Sequence, residues 1–286
     1  MDGIIIVNKP KGFTSHDVVQ KMRRIMNTKK IGHTGTLDPN ATGVLPILIG
    51  RATKLSNYLV EHNKTYIALL KLGKKTTTGD LEGSVIEEKE VPILEVEEIK
   101  TVLNSFLGKQ KQIPPMYSSV KINGKKLYEY ARKGEIVEVP ARDIEIYNIK
   151  LLQYKKSETE IEFEVECSKG TYIRTLCEDI AKRLGTVGFM KELVRTKVDI
   201  FALEKSVALE DLEKIESLKK QSIILIEDIF VGLEEIYLDE AKLKQFLNGV
   251  KLPVTIKNGL CKVYFNEEFI GLGKVLEGYV KREICL

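Results

Sequence analysis

The chain has 286 residues, of which 43% are apolar and 30% charged, and a net charge of +4. That balance excludes disorder as the default and leaves room for a large domain plus a small one; no apolar run nears the roughly 18 residues that span a bilayer. The opening MDGIIIVNKPKG is interrupted too early for a secretory leader, so the chain reads as cytoplasmic.

Residues 3–7, a short apolar run closed by Asn8, Lys9, Pro10 and Gly12, predict a strand entering a turn. Ser15 then stands to cap a helix whose stripe is Val18, Met22, Ile25 and Met26, with Lys21, Arg23 and Arg24 turned outward. Between Val18 and Leu37 there are five basic residues and no acidic one, an excess that suits either phosphates or a solvated face. Residues 32–39 have no period and read as a loop, followed by strands at 44–49 and 64–71. A turn at 77–83 precedes an amphipathic helix marked by Val96, Ile99, Val102, Leu103 and Phe106 and stopped by Gly108. Residues 109–133 hold seven basic residues against Glu129 alone.

Strands near 144–154 and 160–167 lead to a helix over 172–184, with Ile173, Cys177, Ile180 and Leu184 on its stripe, Arg174 off it, and Gly185 as its stop. Strands and helices alternate without βαβ spacing, so the predicted class is α+β, a mixed, largely antiparallel central sheet with flanking helices. Past a charged helical stretch near 203–220 comes a small β-rich tail, giving expected domains at 1–229 and 230–286.

Chemistry is concentrated in few places. The four cysteines (Cys167, Cys177, Cys261, Cys285) lack CxxC spacing and only His16, His33 and His62 could complete a site, so no metal is expected. The loop at 32–39 joins glycines, the hydroxyls of Thr34 and Thr36, His33 and Asp38. Pro39 restricts Asp38 to extended backbone and fixes the direction of its carboxylate, which suits a nucleophile and equally an ordinary Asp-Pro turn.

The whole string GHTGTLDPNATGVLPI resembles the signature of the TruB-type tRNA pseudouridine synthases. Four more segments resemble that family in the same order: NKPKGFTS (8–15), KTYIALLKLG (64–73), TTGDLEG (77–83) and CSKGTYIRTL (167–176). A fifth, QIPPMYSSVKINGKKLYEYARKG (112–134), is similar to the family's insertion that clamps an RNA stem-loop, here set at 109–140. The tail resembles a short form of its C-terminal, PUA-like RNA-binding module.

The resemblance implies Asp38 as the catalytic carboxylate, Tyr66 as the active-site aromatic and Arg174 as the partner that favours the charged form of Asp38. It further implies His33 where the target nucleotide leaves the stack, Leu193 as an aliphatic wall of the uracil pocket, and Asp80 as a site residue. Lys21 and Arg23 on the basic helix, and Lys121, Lys125, Lys126 and Arg132 among Tyr117, Tyr128 and Tyr130, are the expected RNA contacts. The implied reaction turns the uridine numbered 55 in the tRNA T loop into pseudouridine, in a monomer with no cofactor, metal, guide RNA or protein partner. Covalent attack of Asp38 on C1′ and an elimination route with Tyr66 taking a ribose proton both remain open. A dyskerin-type, guide-dependent relative would carry basic extensions and lack the clamp, and an RNA-binding module would not need Asp38, Tyr66 and Arg174 together. One departure is LVRT at 193–196, where Val194 replaces the first of the family's two arginines.

Overall fold

A computed structural model describes residues 2–60 and 63–286, so His62 lies outside the described residues. The main sheet is built from β1 (Gly3–Lys9), β2 (Ile31–His33), β3 (Thr42–Ile49), β4 (Lys64–Leu72), β5 (Gly108–Gln112), β6 (Arg142–Lys155), β7 (Glu160–Cys167), β8 (Gly188–Val198), β9 (Phe201–Ala202) and β10 (Val207–Ala208). Their order is β10-β1-β3-β8-β4-β7-β6-β5, with β2 beside β3 and β9 beside β8. Only β1–β10 and β3–β8 pair in parallel, so the mixed, largely antiparallel α+β sheet is as expected.

The apolar run of β1 has no polar alternate because both of its faces are buried. Ile5 and Val7 pack with Val18, Val19 and Met22 of helix α1 (Ser15–Ile25), whereas Ile4 and Ile6 face Phe201, Ile226 and Leu272. Each such side chain contributes about 1.5–3 kcal/mol by leaving water. At the other end of the sheet, α2 (Val96–Asn104) and α3 (Ile173–Arg183) lay Ile99, Leu103, Cys177 and Ile180 over Leu70, Phe163 and Val165.

The tail folds as a second sheet of β11 (Glu235–Tyr237), β12 (Leu252–Pro253), β13 (Gly259–Phe265), β14 (Glu268–Leu276) and β15 (Tyr279–Cys285), in the order β11-β13-β14-β15-β12. It has its own core around Phe246, Val263 and Val280, and its Leu272, Phe269 and Ile284 join the cluster beneath β1.

Three features depart from the sequence reading. Strand β8, beside β3 and β4 at the middle of the sheet, carries irregularities between Met190 and Glu192 and between Arg195 and Lys197, which break the period of two that would betray it. Strand β5 is a polar edge, GKQKQ, and so reads as a basic surface. The cap of α1 is Thr14, not Ser15: Thr14 accepts from the backbone of Asp17, and Asp17 returns the bond. Ser15 is thereby free to turn inward.

Candidate active site

The loop between β2 and β3 is held from below by the segment after β1. The Ser15 hydroxyl accepts from the Leu37 N–H (2.9 Å) and donates to the Leu37 carbonyl (3.3 Å). Gly12 N–H donates to Pro39 O (3.0 Å), and Ala41 N–H to Asp38 O (3.1 Å). Lys9, wholly buried, donates from Nζ to the carbonyls of Pro10 (3.1 Å), Phe13 (2.5 Å) and Pro39 (2.8 Å). NKPKGFTS is therefore the foundation on which Asp38-Pro39 sits.

Burial pushes the Lys9 ammonium down to about 8, against the opposing pull of Asp38. Three donors meeting three carbonyls is the geometry of the charged form. Lys9→Met keeps the stem but removes all three donated bonds, so the carbonyls of Pro10 and Phe13 lose their Lys9 donor while Pro39 O keeps only Gly12 N–H. It is expected to cost about 2–4 kcal/mol in chemical denaturation, with activity falling alongside because the loop loses its anchor.

Arg174 comes from the first turn of α3 and is 5% exposed. It reaches Asp38 through Nε to Oδ2 at 3.1 Å and Nη2 to Oδ1 at 3.5 Å. On its other side Nη1 lies 3.5 Å from Asp80 Oδ2 and donates to Thr78 O (3.1 Å), while Nη2 donates to Tyr117 O (2.8 Å). Asp80 is itself fixed by the Thr78 hydroxyl (2.5 Å) and Glu82 N–H (3.1 Å), so TTGDLEG is a turn built to hold the arginine. The guanidinium's planar fork suits such multiple anchoring.

The Asp38 carboxyl still shows 39% of its side-chain surface, yet protein surrounds it on its other sides. Burial raises its pKa above the usual carboxylate value; Arg174 and Lys9 pull it back and Asp80 pushes it further. The arginine thus offsets the desolvation only in part, less than its pairing with Asp38 had led us to expect.

Tyr66 on β4 stands opposite Arg195 on β8. The phenol is 7% exposed and burial pushes it up to about 12, with Arg195, to which it is hydrogen-bonded, pulling the other way. Arg195 is completely buried and donates from Nε to Val44 O (2.7 Å) and from Nη2 to Gly35 O (3.1 Å). It ties Tyr66, β3 and the Asp38 loop together. Gly43 makes room for it: at φ +102°, a Cβ there would lie 2.2 Å from the Arg195 carbonyl oxygen.

Arg195 and Lys9 were both missed, because a cation in an apolar strand or a turn gives no sequence sign of burial. Val194 is half-buried on the face away from Leu193 and Arg195, so the missing cation does not change the pocket wall.

Leu193, with Leu37, Met190 and Tyr66, lines a cavity of about 100 Å³ whose rim includes Asp38 and Arg174. The cavity shares that rim with a cleft of about 500 Å³ carrying Lys64, Lys169, Tyr117, Ser118 and Tyr128. Asp38, Tyr66, Arg174 and Leu193 are thus brought together, and Asp80 reaches the site through Arg174. His33 ends β2 outside both linings; its Nδ1 is buried without a partner, and burial followed by the charge of Arg195 lowers its pKa, favouring the neutral ring. Lys21 is tied to Glu213 at 2.8 Å, and Arg23 is partly buried with an unpartnered Nε.

Lys121 and Lys125 are exposed on a two-stranded hairpin turned by Asn123 and Gly124, both at positive φ. Lys126 and Arg132 lie 5.4 and 5.3 Å from the Tyr128 ring centre, and Lys125 lies 5.9 Å from that of Tyr130. Among the described residues no group of His, Cys, Asp and Glu is placed to hold a metal, and no helix is long and apolar enough to cross a membrane.

A carboxylate paired with an arginine, beside an aromatic and an aliphatic wall in a cleft that carries lysines, is the arrangement that the resemblance to pseudouridine synthases implies. The family model for the TruB family pseudouridylate synthase N-terminal domain matches residues 23–173, and that for the tRNA pseudouridylate synthase B C-terminal domain matches residues 174–250. The chain belongs to the TruB family. It is 44% identical to tRNA pseudouridine synthase B of Caldanaerobacter subterraneus subsp. tengcongensis, over 97% of this chain and 96% of that protein. With the Clostridium tetani protein of the same name it shares 46% identity over 98% of each. Among solved structures, a chain of a Cbf5-Nop10-Gar1 complex superposes with a TM-score of 0.72 at 28% identity, over 96% of this chain and 78% of that one.

Proposed function

We propose that this enzyme converts uridine 55 in the T loop of tRNA to pseudouridine, without a guide RNA or partner protein, with Asp38 as the catalytic carboxylate. The observation that carries the reading is the cavity of about 100 Å³ between Tyr66 and Leu193, roomy enough for one pyrimidine ring, with Asp38 on its rim. The reaction breaks the bond between uracil N1 and ribose C1′, turns the detached base and rejoins it through C5. Positive charge builds at C1′ as in glycoside chemistry, and an ionised carboxylate stabilises or captures that carbon. The apolar wall keeps water from the detached base while it turns. Tyr66 provides a ring against the base and a hydroxyl for proton transfer, positioned by Arg195.

The tRNA assignment is supported by the names and lengths of the relatives and by the basic segment around Lys121, Lys125, Lys126 and Arg132. Aromatic rings interleaved with cations are suited to loop bases and phosphates. His33, on the strand that feeds the Asp38 loop, and Lys21 and Arg23 on α1 extend this surface, and the C-terminal sheet adds a further RNA-binding region.

The test is to incubate the purified protein with an unmodified tRNA transcript, no guide and no added metal, and map pseudouridine by position. Product at the T-loop uridine is expected. Product only on addition of a guide RNA would instead support the guide-dependent reading, and none at that uridine would remove the T-loop assignment. In the same preparation, Lys125→Ala should weaken tRNA binding and lower the slope of log K against log salt by about one, as for one lost phosphate contact. Lys21→Ala should change that slope less, because Glu213 already pairs with Lys21.

A further inference from the structure

Beyond β5, the segment that carries the basic hairpin also enters the cleft. The carbonyl of Tyr117 accepts from Arg174, the same guanidinium that holds Asp38. The next side chain, Ser118, is 6% exposed and lines the cleft with Asp38, Tyr66 and Arg174, and its Oγ has no hydrogen-bond partner. The backbone around it is pinned: Tyr128 N–H donates to Ser118 O (3.1 Å) and Leu127 N–H to Val120 O (2.8 Å), with Leu127 and Val120 buried. Buried hydroxyls in folded proteins are normally paired, so one enclosed in the wall of the cleft without a protein partner calls for a group that reaches it when the cleft is occupied.

We propose that Ser118 is a substrate-contacting residue, its hydroxyl being the hydrogen-bond partner of the ribonucleotide that enters the cleft. The Tyr117–Arg174 contact carries it there, so the segment that grips the RNA also completes the active site. The inference rests on the pseudouridine synthase reading of the cleft. A ribonucleotide supplies what the site lacks, since ribose hydroxyls, phosphate oxygens and the uracil edge all bond to a hydroxyl that both donates and accepts. A segment that held RNA by charge alone would turn its polar groups outward, as Lys121 and Lys125 do.

Ser118→Ala separates these roles. The change removes a hydroxyl that has no hydrogen-bond partner among the protein's own groups, so the melting temperature is expected to stay level or rise. With tRNA transcript at saturation, the single-turnover rate is expected to fall about tenfold, the loss of one hydrogen bond to the reacting nucleotide. An unchanged rate overturns the proposal. So does a raised KM with kcat intact, which would leave Ser118 a gripping residue only, and so does a lowered melting temperature, which would make the hydroxyl structural. A parent protein that makes no pseudouridine refutes the functional reading and this inference with it, whereas an active parent with an unaffected variant refutes the inference alone.

Discussion

Asp38→Asn is expected to bind tRNA within about twofold of the parent while its turnover falls by at least about 10³-fold, the scale of losing the charge that faces a developing cation in a water-poor site. Asparagine fills the same space, and Arg174 keeps Asp80, Thr78 O and Tyr117 O as partners, so the site holds its shape. What disappears is the negative charge at C1′. Filter binding and single-turnover product formation read the two halves separately; turnover within about tenfold of the parent would take the catalytic role away from Asp38.

Stability adds a second reading of the same variant. Because burial raises the Asp38 pKa, the folded chain holds its proton at pH values where the unfolded chain has lost it. The unfolded state then binds fewer protons, and this group's contribution falls as pH rises through that window. Above it, ionised Asp38 is a cost to the fold, so the inactive variant should melt no lower than the parent at neutral pH and, if anything, higher. That is the trade between stability and activity expected where a charge is kept in place for chemistry.

How much of this was legible beforehand follows from which forces leave a local trace. The stripes of α1 and α3, the apolar run of β1 and the Gly-rich turns are local, and the sequence reading places them within a few residues. Strand β8 was invisible because its irregularities destroy the alternation, though it supplies Leu193 and Arg195. Lys9 and Arg195 looked like surface cations, since burial of a charge depends on carbonyls that only the folded chain brings together: Pro39 lies thirty residues from Lys9, and Val44 far from Arg195. The pairing of Asp38 with Arg174, 136 residues apart, was legible only through family resemblance. No spacing rule would have found it. The residue-level logic fixed the loop, and the geometry added the supports that keep its carboxylate in place.

Those supports make Arg174 the second decisive position. Replacing it by methionine leaves two carboxylates, Asp38 and Asp80, facing a partly buried site without their shared cation. Breaking a buried ion pair by removing one partner costs about 3–5 kcal/mol. Asp38 is partly exposed, so only part of that cost falls on its ionised form. Each 1.36 kcal/mol of that part raises its pKa by one unit, and activity at neutral pH is expected to drop by about tenfold or more as the raised pKa approaches the assay pH. The sign is fixed by the causes already at work. Burial and Asp80 raise the Asp38 pKa while Arg174 lowers it, so losing Arg174 drives it further up and carries the acid limb of the kcat profile to higher pH. Rising pH should therefore restore part of the activity of Arg174→Met, which a purely structural defect would not allow. Arg174→Lys keeps the charge, but one ammonium cannot reach Asp38, Asp80, Thr78 O and Tyr117 O together, so its profile should fall between parent and Arg174→Met. A kcat profile measured across about pH 5–9 that loses height with its acid limb unmoved would show that Arg174 shapes the site without tuning Asp38.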